Sequence, residues 1–136
     1  MAVTALGQIQ TFKAARDLSS HQYCPVYISA ADTVDYATDS SGVIGILQNK
    51  PDGAGKAAEV LTAPGVKSKL KVDADSVDIA AGNAIECNDS HVGIKLTITE
   101  PSTTVAYLVG WALSAATEAT AYITVLTSFT QVGKGS

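Results

Sequence analysis

Apolar and polar residues alternate with a period of two along much of this chain, the pattern of half-buried β-strands. The clearest case runs from Val66 to Val72. Val66, Ser68, Leu70 and Val72 point one way, and Lys67, Lys69 and Lys71 point the other. The stretch around which the rest is organised is Gly42-Val43-Ile44-Gly45-Ile46-Leu47-Gln48-Asn49-Lys50-Pro51. Its branched residues from Val43 to Leu47 suit a buried, pleated surface. Gly45 leaves room for another backbone or a bulky ring to come close. Asn49, Pro51 and Gly53 then end the strand, because proline fixes φ and donates nothing to a ladder.

Further strands are predicted on both sides of it. Tyr23–Ile28 comes first, with Pro25 restricting it to an edge or a strand start. Val34 and Tyr36 mark a short one, and the span 56–62 lies between breakers at a length that suits a strand. Others are Ala84–Cys87 and the alternation of Val92, Ile94, Leu96 and Ile98 with Gly93, Lys95, Thr97 and Thr99. The span 104–112 is apolar on both faces. Val105, Tyr107, Val109 and Trp111 line one, and Ala106, Leu108, Gly110 and Ala112 the other, so it is central or one face meets another subunit. Ala119–Phe129 is the last strand. Residues 1–22 are weakly patterned, with a helical turn or two expected at Thr11–Leu18 and Phe12, Ala15 and Leu18 turned inward. This span reads as an arm laid on its own sheet or on a neighbour, with a floppy terminus as the alternative.

Many short strands separated by Gly, Pro, Asn and Asp predict an all-β protein, a small antiparallel β-barrel or sandwich. The expected organisation is an N-terminal arm at 1–22, a β-rich domain at 23–130 and a C-terminal tail at 131–136. At 136 residues a single domain is the simplest arrangement. Aromatics are only 6% and alanine is abundant, so the core is light and favours stability gained from oligomer contacts.

Charge narrows the partners. The net charge is −4 and charged residues make up 16%, below the roughly 25% of ordinary domains. No basic excess points to nucleic acid, and no apolar run is long enough to span a membrane as a helix. No signal-peptide pattern opens the chain. Cys24 and Cys87 are too few for a disulfide scaffold, and two small buried hydrophobes is the favoured reading over a bridge.

Candidate chemistry adds little. His21 and His91 have no motif around them, and no nucleophile elbow, zinc spacing or phosphate loop is present. Asp73, Asp75 and Asp78 resemble a calcium loop in spacing alone, since its glycine and closing glutamate are misplaced; an acidic turn is expected. Three lysines on one strand face are read as a solvated face or a guarded edge, with an anion or acidic partner as the other reading. No cofactor, metal or catalytic residue is expected.

The chain resembles the small phage capsid decoration (cement) proteins. The resemblance covers residues 22–127. It rests on Gly45-Ile46-Leu47-Gln48-Asn49-Lys50-Pro51 followed by Gly53, Gly55 and Ala57-Ala58-Glu59-Val60. Gly65-Val66, Ala80-Ala81-Gly82-Asn83, Val109-Gly110-Trp111-Ala112-Leu113 with Ala115-Ala116, and Ile123-Thr124-Val125-Leu126 then follow in order. An extra strand between Asn83 and Val109 and a longer N-terminal arm depart from the compact family pattern.

The resemblance implies a β-tulip-like structural protein on the outer surface of a virion, without catalytic activity. Its partners would be the major capsid protein and two further copies of itself, as a homotrimer at three-fold lattice positions. Tyr107 and Trp111 are then candidates for the subunit interface, and Leu6, Ile9 and Phe12 for capsid contact. A self-assembling tail, tube or fibre domain is the alternative within structural proteins. A small ligand-binding barrel or enzyme using Asp73, Asp75, Asp78, His91 or Glu100 is the alternative from another class.

Overall fold

The computed structural model describes residues 8–97 and 105–133, and these form ten strands in an all-β architecture. The strands are β1 (Ile9–Ala14), β2 (Pro25–Ala30), β3 (Thr33–Tyr36), β4 (Gly45–Leu47), β5 (Ala57–Leu61), β6 (Lys67–Val72), β7 (Ala84–Cys87), β8 (Gly93–Lys95), β9 (Val105–Ala112) and β10 (Ala121–Gly133). They close into two barrels of five strands each, in the order β1-β3-β2-β4-β5 and β10-β6-β8-β7-β9. Closure leaves neither sheet with an open edge. Most pairings are antiparallel, as expected, but β1–β3 and β6–β8 are parallel.

Part of the expected arm is a barrel strand. Ile9 to Lys13 pair with Leu61 to Ala57 of β5, and Lys13 and Ala14 lie alongside β3. β1 therefore closes the first barrel, and the boundary drawn at residue 22 falls after one of its strands. The helix expected near Thr11 does not form, because β3 and β5 each offer it a ladder and its burial follows period two at Phe12 and Ala14. At the other end, β10 continues to Gly133 through part of the expected tail, paired with β9. Leu6 lies outside the described residues.

Two apolar clusters fill the protein. The smaller contains Leu18, Val26, Val34, Leu47 and Val60 inside the first barrel. The larger contains Leu70, Val72, Ile85, Val109, Ile123 and Val125 of the second barrel, together with Ile46 of the first. Adjacent residues of β4 thus enter different cores: Leu47 the first and Ile46 the second, both fully buried. A strand puts successive side chains on opposite faces, so β4 is the wall the two cores share. Gly45 precedes them where β4 crosses β5, and a Cβ there would overlap the Leu61 carbonyl.

The second barrel departs from regular alternation in two places. In β8 the inward position is Gly93, against Leu70, Ile85 and Val72, whereas Ile94 is only half-buried. The apolar alternation is thus out of phase with the observed burial over 92–97, and Ile98, Thr99 and Glu100 lie outside the described residues. In β9 the pairing with β7 shifts between Ile85 and Glu86, and the pairing with β10 shifts between Thr127 and Thr130. These irregularities break the two-sided alternation. Val109 and Ala112 both turn into the core, although an unbroken strand would put them on opposite faces.

Candidate interaction surface

The seam between the barrels is built by the turn that ends β4. Gln48 donates its side-chain amide to Ile46 O at 3.1 Å and to Ser68 Oγ of β6 at 3.2 Å. Asn49 donates to Ala57 O and accepts from Glu59 N–H, each at 3.0 Å, which holds the turn against β5. Pro51 is buried, and its carbonyl accepts the Leu18 N–H at 2.8 Å. The Gln-Asn-x-Pro phrase is therefore a structural staple. On the neighbouring segment Lys71 N–H donates to Tyr23 O at 2.9 Å. Tyr23 has a left-handed backbone, φ 67°, uncommon for an aromatic residue, and this cross-barrel bond is one of the contacts that hold it there.

His21, Tyr36 and His91, from separate parts of the chain, stack at the same seam. The Tyr36 ring lies 3.7 Å from that of His91 and 4.9 Å from that of His21. His91 Nδ1 donates to Ala37 O at 2.8 Å, tying the second barrel to the first. Arg16 covers the Tyr36 ring at 4.6 Å and bonds the buried Asp35 through Nε at 3.1 Å and Nη2 at 2.8 Å. The Asp35 carboxylate is thus satisfied, its other oxygen accepting Tyr36 N–H. Both histidines lie in loops, His21 between β1 and β2 and His91 between β7 and β8, and there they are half-buried packing groups between the barrels. Sequence pattern missed this because nothing local links positions 21, 36 and 91.

Burial pushes the His21 pKa below its ordinary value of 6.5; His91, Lys71 and Arg16 act in the same direction and Asp35 opposes them. The unfolded chain then binds the proton more tightly than the folded one. His21's contribution is fully present above the unfolded value of 6.5 and is lost as pH falls from there through the lower folded value. Thermal melts between pH 7.5 and 5 should show Tm falling on acidification, with a shallower fall in His21→Gln. An equal slope in both proteins would exclude His21 as a source.

The outer face of the second barrel carries three of the six exposed large hydrophobic residues among those described. Trp111, Leu113 and Tyr122 are 45%, 42% and 50% exposed. Leu126 lies opposite Trp111 on one side and Lys67 on the other. Thr124 lies opposite Lys69, and Tyr122 opposite Lys71. The result is a column of lysines beside a column of apolar and aromatic groups. Lys69 Nζ lies 5.2 Å from the Tyr23 ring and 5.1 Å from the Tyr122 ring, and the two rings pack edge to face with centroids 6.1 Å apart. The lysine alternation was legible in the sequence; the aromatic pair beside Lys69 was not, since the contact joins three distant segments.

The residues expected to make contacts are placed differently from one another. Trp111 faces solvent, whereas Tyr107 is half-buried against the larger core. The irregular pairing of β9 thus separates two residues that period two puts on one face. Ile9 is 37% exposed on β1, while Phe12 packs against the first core. Cys24 and Cys87 are buried free thiols; burial raises Cys24 to about 11 and Cys87 further still. Asp73 accepts the Asp75 N–H at 3.1 Å, the local bond expected of an acidic turn. Among the described residues no three His, Cys, Asp or Glu side chains converge in a metal-binding group. An open depression of about 230 Å³ is lined by Asp73, Val77, Asn88, Ile94 and Lys95 among others, without a histidine or cysteine.

No family model matches the chain, and no curated protein matches it. Among solved structures it is similar to the N base of the head fiber gp8.5 in bacteriophage phi29. The two share 16% identity at a TM-score of 0.60, over 91% of this chain and 96% of the other, so the likeness extends to the whole double-barrel fold.

Proposed function

We propose that this protein is a non-enzymatic structural component of a phage virion, seated on the outer surface of the head. It binds as a trimer at three-fold positions and holds neighbouring major capsid proteins together. The observation that carries the reading is the fold match to a phage head fiber base over nearly the full length of both chains. The order of motifs from Gly45 to Leu126 supports it independently. The physics suits the role: contacts to several shell subunits at once add through avidity, and a ligand of the assembled shell alone resists its disassembly. No turnover or cofactor is needed.

Heads lacking the protein, heated with and without a saturating amount of it, provide the test. The proposal expects a higher disruption temperature in its presence. Unchanged disruption together with no co-sedimentation would reject it. A second reading, the base of a fibre, is favoured by the same neighbour, which is itself a fiber base. Elongated assemblies in electron micrographs would select that reading, and closed trimers the first.

A further inference from the structure

The fold leaves two complementary surfaces on the second barrel. One is the face already described, with Trp111, Leu113 and Tyr122 exposed beside Lys67 and Lys69. The other is the loop between β6 and β7. Its residues Asp75, Ser76, Val77 and Asp78 are all exposed, and Val77 is 50% exposed with an aspartate close on either side. The loop is not loose. Ala74 and Ile79 at its ends are buried, Ala74 N–H donates to Glu118 O at 2.8 Å, and Ile79 exchanges two backbone bonds of 2.9 Å with Ala116. An anchored loop loses little entropy on docking.

We propose that Asp75, Val77 and Asp78 of one copy dock on the Trp111–Leu113–Tyr122 face of the next, with the aspartates against Lys67 and Lys69. This rests on the oligomer in the proposed function and names its two contacting patches. Three observations favour a second copy as the occupant. The charges are opposite in sign. Among the described residues no ion pair joins Lys67 or Lys69 to a carboxylate of their own chain. Of the six large hydrophobic residues most exposed among those described, four lie in these two patches: Val77, Trp111, Leu113 and Tyr122. Each copy presents both patches, and they differ, so the contact is heterologous and generates a closed ring when its rotation permits. Lys69, beside two tyrosine rings, presents its charge on this face to the incoming loop.

Light scattering on the full-length chain tests the contact. The wild type should have about three times the 13.9 kDa chain mass. Lys67→Glu with Lys69→Glu should weaken self-association by roughly tenfold or more, because it sets like charges against each other. Asp75→Lys with Asp78→Lys should do the same, and the four changes together should restore the trimer. These side chains are exposed, so melting of each variant at low concentration, where the wild type is also dissociated, should stay near wild type and show that folding is intact. Self-association unchanged by either reversal, a quadruple variant no better than the doubles, or a wild type monomeric at every concentration would overturn the proposal. Head binding is read separately. Variants that trimerise normally on heads would sink this contact and leave the head reading standing. A charge-reversible trimer that ignores heads would do the opposite.

Discussion

Ile46→Ala is expected to destabilise the whole protein by roughly 2–5 kcal/mol, the usual cost of truncating a fully buried aliphatic side chain. Ile46 is completely buried, yet its strand belongs to the first barrel and its side chain to the core of the second. The cavity therefore opens at the junction. Urea unfolding followed by Trp111 fluorescence and by far-UV circular dichroism should give one coincident transition at a lower midpoint. Trp111 sits on the second barrel, so its signal reports that half specifically. Two separated transitions in the wild type, or an unchanged Trp111 midpoint in the variant, would contradict a core shared through β4.

Gly45→Ala is expected to cost more than the roughly 1–3 kcal/mol of ordinary overpacking, although it adds only one carbon. The added Cβ meets the Leu61 carbonyl, a backbone group that cannot rotate away as a flexible side chain would. Relief requires β4 and β5 to separate, and β4–β5 is one of the pairings that closes the first barrel. The comparison to make is with Gly53→Ala, where the nearest atom is Cγ of the Lys56 side chain at 3.8 Å, an ordinary van der Waals contact. Equal melting temperatures for the two variants would show that the close approach at Gly45 carries no weight.

What the sequence revealed follows from the range of its signals. The strands from Pro25 to Val72 are local features, set by alternation and by breakers such as Pro51 and Pro64-Gly65, and they form close to where they are expected. Gly45 was legible as a point of close approach for the same reason: a glycine among branched residues has few other uses. The double closure was not legible. Closure of the first barrel depends on β1, whose six residues carry a weak pattern and gain their ladder only from β3 and β5, and closure of the second on the parallel β6–β8 contact. Nor did period two survive in β8 and β9, where Gly93 takes the inward place and the register shifts beside Val109.

The candidate surface divides along the same line. The lysine face of β6 is a property of seven consecutive residues and could be read directly. Its neighbours Tyr122 and Tyr23 are contributed by segments some fifty residues away on either side, so the aromatic pair beside Lys69 exists only in the fold. The pairing of Tyr107 with Trp111 failed for the converse reason, because it assumed a regular strand. The His21–Tyr36–His91 stack is a third case: three unremarkable loop or strand residues acquire a role in joining the barrels only once both are closed.

Location on the particle is the direct test of the functional account. Electron cryomicroscopy of heads with and without the protein gives a difference map. The account predicts added density on the outer surface at three-fold positions, three copies at each, into which the double barrel fits. Density confined to the inside of the shell or to the tail, or no added density under saturating conditions, would contradict it.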